Sequence, residues 1–181
     1  MSFITCQFEK HGQIILEIYN DVIAHSTALY ETEPRTIETI KDWFNQKEKE
    51  NFPVIGYENE DGQLLGFVSY GRFRTQPATH LTLEHSLYIH KNSRGQKVGK
   101  KLLKRYLEHI TLEGYHTTIA AIDSENIACI ELHKKFGFTH QGNIRQIARK
   151  FDRWLNLEYY QLILSSSPLS DDFETQNQLT Q

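Results

Sequence analysis

Cysteine, proline and methionine are scarce in this 181-residue sequence, which contains two, four and one of them, respectively. Cys6 and Cys129 are too few and too far apart for a disulfide framework or a zinc knuckle, which favours a reducing, intracellular setting. The longest apolar runs, such as Ile14–Leu16, are far below membrane-spanning length. The first residues also lack the charged and then apolar layout of a signal peptide. We therefore expect a soluble, cytoplasmic protein with no membrane partner.

The composition is typical of one compact globular domain. Hydrophobic residues make up 39% of the chain and charged residues 24%, which excludes collagen-like, coiled-coil and fully disordered classes. Twenty basic and 23 acidic residues give a net charge of −3, so the molecule as a whole is not a polyanion binder. We expect a single domain over residues 1–164. Residues 165–181 are rich in Ser, Asp, Gln and Thr, and we expect them to form a disordered tail.

Hydrophobic periodicity predicts seven strands and four helices. Thr36 is a candidate helix N-cap, and the Asp61-Gly62 pair predicts a hairpin. The predicted strands cover residues 3–8, 52–57, 64–70, 81–89, 117–122, 139–147 and 154–164, and the helices cover 13–23, 36–49, 98–110 and 127–135. This order indicates an α/β (mixed α+β) fold with a central mixed sheet of six to seven strands and helices on both faces.

A basic segment lies between a predicted strand and a predicted helix. It contains seven of the twenty basic residues and no acidic residue between Glu84 and Glu108: Lys91, Arg94, Lys97, Lys100, Lys101, Lys104 and Arg105. Gly95 and Gly99 allow close approach of the backbone, and the helix start offers unpaired N–H groups, which together indicate a phosphate site. The glycine spacing is not that of a Walker A loop, and Lys101 stands where Ser or Thr would bind magnesium.

Residues 94–99, Arg-Gly-Gln-Lys-Val-Gly, resemble the Q/R-x-x-G-x-G/A pyrophosphate loop of the GNAT N-acetyltransferases, with Lys97 in place of the first motif glycine. Residues 126–138 are similar to the helix that lies beside the thioester in that superfamily. The resemblance implies acetyl-CoA as co-substrate. It also implies contacts with the backbone of a strand, with the loop and with the start of the helix predicted at 127–135: Leu87, Tyr88, Ile89, Arg94, Gly95, Gln96, Lys97, Val98, Gly99, Lys100 and Asn126.

Over residues 3–164 the chain is similar, more narrowly, to the phosphinothricin and methionine sulfoximine acetyltransferases. The segments that carry this likeness are 18–20, 26–28, 33–36, 52–54, 66–71, 84–88 and 149–155. The likeness implies transfer of an acetyl group to the α-amine of a small amino acid analogue, herbicide resistance through that reaction, and a homodimer. No metal and no nucleic acid is implied.

Direct acetylation of an amine needs a base for the ammonium proton and an acid for the thiolate. Glu84 lies in an otherwise uncharged strand segment, where burial would raise the pKa of its carboxyl. A strand glutamate is more often an ion-pair partner, but the resemblance puts Glu84 at the catalytic carboxylate. The resemblance also puts His133 beside the CoA sulfur, as an acid or as a packing residue. Cys129 has no adjacent base in sequence and is interpreted as a packed helix residue.

The acceptor side is predicted from the loop before Glu84 and from a family aromatic position. Arg74 offers a planar fork for a carboxylate or phosphinate, with Arg72 as an alternative that faces solvent. Tyr30 is expected to wall the acceptor pocket. The family often has an aromatic residue near Thr79, so selectivity is expected to differ here.

Three other functions stay open from the sequence. The fold could acetylate a protein N-terminus or a polyamine, although Arg72 and Arg74 argue against a cationic acceptor. The basic helix could bind nucleic acid, although residues 91–105 lack interleaved aromatics. A silent acyl-CoA sensor is the third, and Glu84 argues against it.

Overall fold

The computed structural model describes residues 1–164, in which seven strands and four α-helices follow the predicted order. They are β1 Ser2–Thr5, α1 Phe8–His25, α2 Ile37–Lys49, β2 Ile55–Glu58, β3 Leu64–Arg72, β4 Thr82–Ile89, α3 Val98–Leu112, β5 Thr117–Asp123, α4 Ile127–Lys135, β6 Thr139–Lys150 and β7 Arg153–Ile163. All seven strands belong to one sheet. The expected single domain at 1–164 stays a prediction. The expected tail at 165–181 lies outside the described residues.

The seven strands form one mixed sheet in the order β1-β2-β3-β4-β5-β7-β6. Its only parallel pair within residues 1–164 is β4–β5, and that pairing extends from Thr82↔Thr117 to His85↔Ala120. Beyond this point β5 continues to Asp123 in partnership with β7, while β4 continues to Ile89 in partnership with β3. The two central strands therefore separate after His85 and leave a cleft between them.

Helices cover both faces of the sheet, as predicted. The cluster under α1 and α2 includes Ile15, Ile40 and Phe67, and the cluster under α3 includes Val68 and Leu103. Phe67 and Val68 are neighbours on β3 that pack on opposite sides, because successive strand side chains alternate between faces. Each large apolar side chain buried in this way contributes about 1.5–3 kcal/mol to folding.

Local sequence signals explain where several helices begin and end. Thr36 caps α2 in a capping box with Thr39, as its sequence position predicted. Gly114 and Gly137 end α3 and α4 with φ angles of +79° and +87°. The strand predicted at residues 3–8 was too long, because Phe8 begins α1 and packs against the apolar cluster under that helix.

Candidate active site

The cleft between β4 and β5 is a narrow space of about 60 Å³. It is lined by the separating strands and by α4: Ala28, His85, Ser86, Leu87, Tyr88, Ala120, Ala121, Ile122, Asp123, Asn126, Cys129 and His133. Leu87, Tyr88, Asn126 and His133, which the sequence assigned to acetyl-CoA, therefore share one cleft. Ile89 follows on the same strand beyond the last β4–β5 pair, so its backbone continues the open edge.

The basic loop joins β4 to the start of α3 beside this cleft. Lys97 is the N-cap of α3 and has a left-handed backbone, with φ 61° and ψ 15°. This conformation is costly for a residue with a Cβ, which explains why the superfamily motif has glycine at this position. Gly95 is also left-handed, with φ +77°. A Cβ on Gly99 would lie 3.4 Å from Leu132 and 3.6 Å from Leu87, so Gly99 borders the gap between β4 and α4.

The other predicted loop residues have different surroundings. Arg94 donates to Asp21 of α1 at 2.7 Å, which ties the loop to the opposite helical layer. Gln96 donates its side-chain amide to the Asn92 carbonyl at 2.8 Å. Val98 is buried in the core, whereas Lys100 is exposed on the first turn of α3.

Asn126 begins α4 and its Oδ1 accepts from the N–H of Cys129 at 3.2 Å. This cap uses the amide oxygen, and Asn126 also lines the cleft. Burial raises the pKa of the Cys129 thiol to about 12, which makes a nucleophilic thiolate unfavourable. The interpretation of Cys129 as a packed helix residue agrees with this environment.

His133 takes part in a buried chain of hydrogen bonds. Its Nδ1 lies 2.8 Å from the Cys129 carbonyl, which can only accept, so Nδ1 carries the proton. Its Nε2 then accepts from Nε2–H of His85 at 3.0 Å, and His85 in turn accepts from Thr118 at 3.1 Å. Burial lowers the pKa of both imidazoles. A neutral His133 arranged in this way has no free N–H for a thiolate, which favours the packing role over the acid role.

A second cavity, of about 340 Å³, lies on the α1 and α2 face of the sheet. Its lining combines aromatic and cationic side chains with one carboxylate: Tyr19, Leu29, Arg35, Trp43, Lys47, Ser69, Tyr70, Gly71, Arg72, Glu84, Ser86 and Tyr88. We call it the acceptor cavity. Ser86 and Tyr88 line the cleft as well, so the two spaces meet at these residues of β4.

Glu84 opens onto the acceptor cavity and is half-buried. Burial raises the pKa of its carboxyl, and the nearby Arg74 charge offsets part of that rise. A carboxyl in this environment is a stronger base than an exposed one, as a general base requires.

The two arginines differ in position. Arg74 is exposed, and its charge acts on Glu84. Arg72 pairs with Leu83 on β4, and strand alternation directs its side chain to the α3 face, where its charge acts on Tyr115. Arg72 is nevertheless among the residues that line the acceptor cavity, whereas Arg74 lies outside that lining and is tied to the site by its charge on Glu84.

Two other predicted acceptor residues lie outside the lining of this cavity. Tyr30 donates to Asp123 at 3.2 Å and to the Asn156 carbonyl at 3.4 Å, so it anchors the loop after α1 to β5 and β7. The Thr79 hydroxyl donates within its own loop, to the carbonyls of Gln76 and Arg74. The sequence analysis missed Arg35 and Lys47, which do line the cavity.

The sequence contains a signal for Lys47 but not for Arg35. Lys47 follows Ile40, Trp43 and Phe44 at helical spacing, so a cation on the apolar stripe of α2 was the available signal. Arg35 lies in an irregular loop, where hydrophobic periodicity does not predict which way a side chain faces. Its guanidinium stacks 3.9 Å from the Tyr19 ring centre and pairs with Glu31.

The split sheet with a basic loop at the start of α3 is the architecture expected of an acyl-CoA-dependent transferase, and comparisons with known proteins agree. The model of the acetyltransferase (GNAT) family matches residues 15–138. An L-methionine sulfoximine/L-methionine sulfone acetyltransferase from Pseudomonas paraeruginosa is 36% identical over 150 residues, which cover 83% of this chain and 87% of the relative.

Solved structures give the same result. An N-acetyltransferase from Staphylococcus aureus is 39% identical with a TM-score of 0.87, over 90% of this chain and 98% of that one. A phosphinothricin acetyltransferase from Sinorhizobium meliloti, in complex with acetyl-CoA, is 26% identical with a TM-score of 0.87. The match covers 92% of this chain and 90% of that one. The chain belongs to the GNAT family and is an acetyltransferase, as its motifs predicted.

Two kinds of feature are absent from residues 1–164. No helix there is long and apolar enough to cross a membrane. No group of three or more His, Cys, Asp or Glu side chains in that range is arranged to hold a metal ion. The metal-free reaction expected from the sequence stays a prediction.

Proposed function

We propose that this enzyme transfers the acetyl group of acetyl-CoA to the α-amine of a small amino acid analogue such as methionine sulfoximine or phosphinothricin. The observation that carries the proposal is the meeting of two spaces at Ser86 and Tyr88, with Glu84 in the larger one. A space of about 340 Å³ is at the lower end of small-molecule sites. The relatives named above acetylate acceptors of this size.

The cleft has the features that acetyl-CoA needs. The open β4 edge at residues 87–89 offers backbone N–H groups to the pantetheine arm and the acetyl carbonyl. The start of α3 offers unpaired N–H groups and a positive dipole to the pyrophosphate, and the missing side chain of Gly99 leaves room between this helix start, β4 and α4. Acetyl-CoA, once bound, supplies an activated acyl group to a nucleophile.

Glu84 supplies the base. Its carboxylate takes a proton from the acceptor ammonium, directly or through one water, so that the free amine attacks the acetyl carbon with no covalent enzyme intermediate. The thioester C–S bond then breaks, and the departing CoA thiolate takes the second proton of the attacking nitrogen. The raised pKa of the Glu84 carboxyl brings it closer to that of the proton it removes. The protonated carboxyl then returns its proton to solvent on the open side of the acceptor cavity.

The charge of the acceptor cavity favours an acceptor that carries an oxyanion. Arg35 and Lys47 line it, and Arg74 acts on its carboxylate. A polyamine would bring two or more positive charges next to these cations, which opposes binding. An acidic group on the acceptor instead gains charge-assisted hydrogen bonds.

The experiment is a survey of acceptors in which CoA release is measured with a thiol reagent. We expect methionine sulfoximine, methionine sulfone or phosphinothricin to give a kcat/KM at least 100-fold above that of spermidine or of a peptide N-terminus. A higher value for the peptide or the polyamine would overturn the proposal. Binding of DNA with no turnover of any amine would support the nucleic-acid alternative.

We further propose a homodimer in the cytoplasm that confers resistance to the herbicide phosphinothricin. Support for the homodimer comes from the β6–β7 hairpin, where four large apolar side chains are 40–58% exposed: Ile144, Ile147, Phe151 and Trp154. Light scattering after gel filtration tests it, and Trp154→Arg is expected to shift the mass toward the monomer. A monomeric wild-type mass at micromolar concentration would refute it.

A further inference from the structure

Lys47 is a cation on the side of α2 that faces the sheet. Its ammonium donates to the carbonyl of Tyr70 at 2.5 Å, at the end of β3 where the acceptor cavity begins. An ammonium has three hydrogens, so this bond leaves two for another acceptor. The protein therefore fixes the position of the Lys47 ammonium, and two of its N–H groups are still able to donate to a ligand.

Gly71 brings this ammonium close to the catalytic carboxylate. A Cβ built on Gly71 would lie 3.5 Å from Nζ of Lys47. Gly71 is also the β3 partner of Glu84, and the side-chain positions of a directly paired couple project from the same face about 4.5–5.5 Å apart. Lys47 and Glu84 therefore both lie next to Gly71 in the acceptor cavity, and within residues 1–164 no ion pair of 4.0 Å or less joins them.

The charge of Glu50, at the end of α2, acts on the Lys47 ammonium from a distance. Among the residues that the structure describes, no Asp or Glu oxygen lies within 4.0 Å of its Nζ. Burial lowers the pKa of this ammonium, whereas Arg35 in the same cavity is neutralised by Glu31. A partly desolvated cation in a ligand cavity, with no carboxylate in direct contact, is a site for an anion.

We propose that Lys47 binds the α-carboxylate of the acceptor and is the residue that selects α-amino acids. This inference rests on the proposed function. An α-amino acid has its ammonium and its carboxylate on one carbon, so the ammonium would face Glu84 while the carboxylate faces Lys47. Arg74, on the exposed loop, is then available to the polar end of the acceptor side chain.

The test compares an acceptor with and without its carboxylate charge. Methionine sulfoximine and its methyl ester are assayed with wild type and with Lys47→Met, and each acceptor serves as its own reference. We expect Lys47→Met to lower kcat/KM for the acid by about 10- to 100-fold, as for loss of a hydrogen bond to a charged group. The value for the ester should change by less than threefold.

Two variants complete the design. Lys47→Arg keeps the charge and is expected to recover most of the preference for the acid, which also keeps the test informative if Lys47→Met folds poorly. Lys49→Met, two residues further along α2 and exposed, is the matched control and should leave both acceptors unchanged.

The outcomes separate the two proposals. An equal loss for acid and ester would mean that Lys47 only supports the Tyr70 carbonyl, and no loss for either would exclude it from the site. Both results would overturn the inference and leave the proposed function intact. If wild type acetylates no amino acid analogue, both proposals fail together.

Discussion

Replacing Glu84 by Gln removes the base and nearly preserves the shape of the side chain. We expect kcat to fall by about 10²- to 10⁴-fold, the usual contribution of a positioned general base. Acetyl-CoA affinity should change little, because Glu84 lines the acceptor cavity and the cofactor residues line the cleft. Steady-state CoA release and calorimetric titration with acetyl-CoA measure these two quantities separately.

The pH profile adds a readout that a structural role would not give. The reaction needs the Glu84 carboxylate, so activity should fall as the pH drops through the pKa of this group. Burial raises that pKa above its ordinary value, and the acidic limb should therefore lie above the range of an exposed glutamate. In Glu84→Gln the same limb should disappear from the residual activity.

Stability is expected to move in the opposite direction from activity. Because the folded pKa of Glu84 is raised, this group stabilises the fold fully only below its unfolded pKa, and the contribution is lost as pH rises through the folded pKa. Gln stays neutral, so the variant should melt at or above the wild-type temperature at pH 7. Glu48→Gln on the exposed side of α2 is the control. A variant with more than a tenth of wild-type kcat and an unchanged acidic limb would refute the assignment of Glu84.

Substitutions at four further positions have distinct expected results. Arg74→Ala should raise KM for phosphinothricin and, by removing a charge that lowers the Glu84 pKa, move the acidic limb of the profile to higher pH; an unmoved limb would contradict this. Gly99→Val should weaken acetyl-CoA binding at least tenfold by calorimetry, whereas Gly99→Ala, whose Cβ meets only ordinary contacts, should not. Lys97→Gly should raise the free energy of unfolding by up to about 1 kcal/mol in urea titrations, because it relieves a left-handed backbone. His133→Phe should lower the free energy of unfolding by about 1–3 kcal/mol, because it leaves buried His85 without its hydrogen-bond partner. A shift in the alkaline limb of the pH–rate profile of this variant would instead support His133 as the acid for the thiolate.

Most of the fold could be predicted because its elements carry strong local signals. The apolar stripe of α3 has the helical period, and residues 117–122 of β5 are an uncharged run, so each element was placed within one or two residues. The start of α1 was missed by several residues because 8–12 contain only one large apolar side chain. Long-range packing of Phe8 decides that boundary, and a local pattern does not contain it.

The candidate site was less predictable, for a physical reason. Glu84 and the loop at Gly99 belong to segments whose motif and position are local, and the structure puts both beside the expected spaces. Lys47 and Arg35 reach the acceptor cavity from α2 and the loop before it, and their partnership with β3 and β4 exists only after the sheet has formed. The hydrogen bonds of His133 likewise depend on the packing of α4 against β4 and could not be read from its spacing.

The alternation of β4 lets one strand serve two sites. Its even-numbered residues, from Glu84 to Tyr88, line the acceptor cavity, whereas His85 points to the other face and bonds to His133 at 3.0 Å. A slip of one residue would exchange the faces and turn the base away from the acceptor. His85 is also the last β4 residue that pairs with β5, so beyond it no ladder with β5 holds the register. We infer that the buried histidine pair fixes β4 against α4 where the sheet opens, because a polar pair inside a core tolerates only one alignment of its partners.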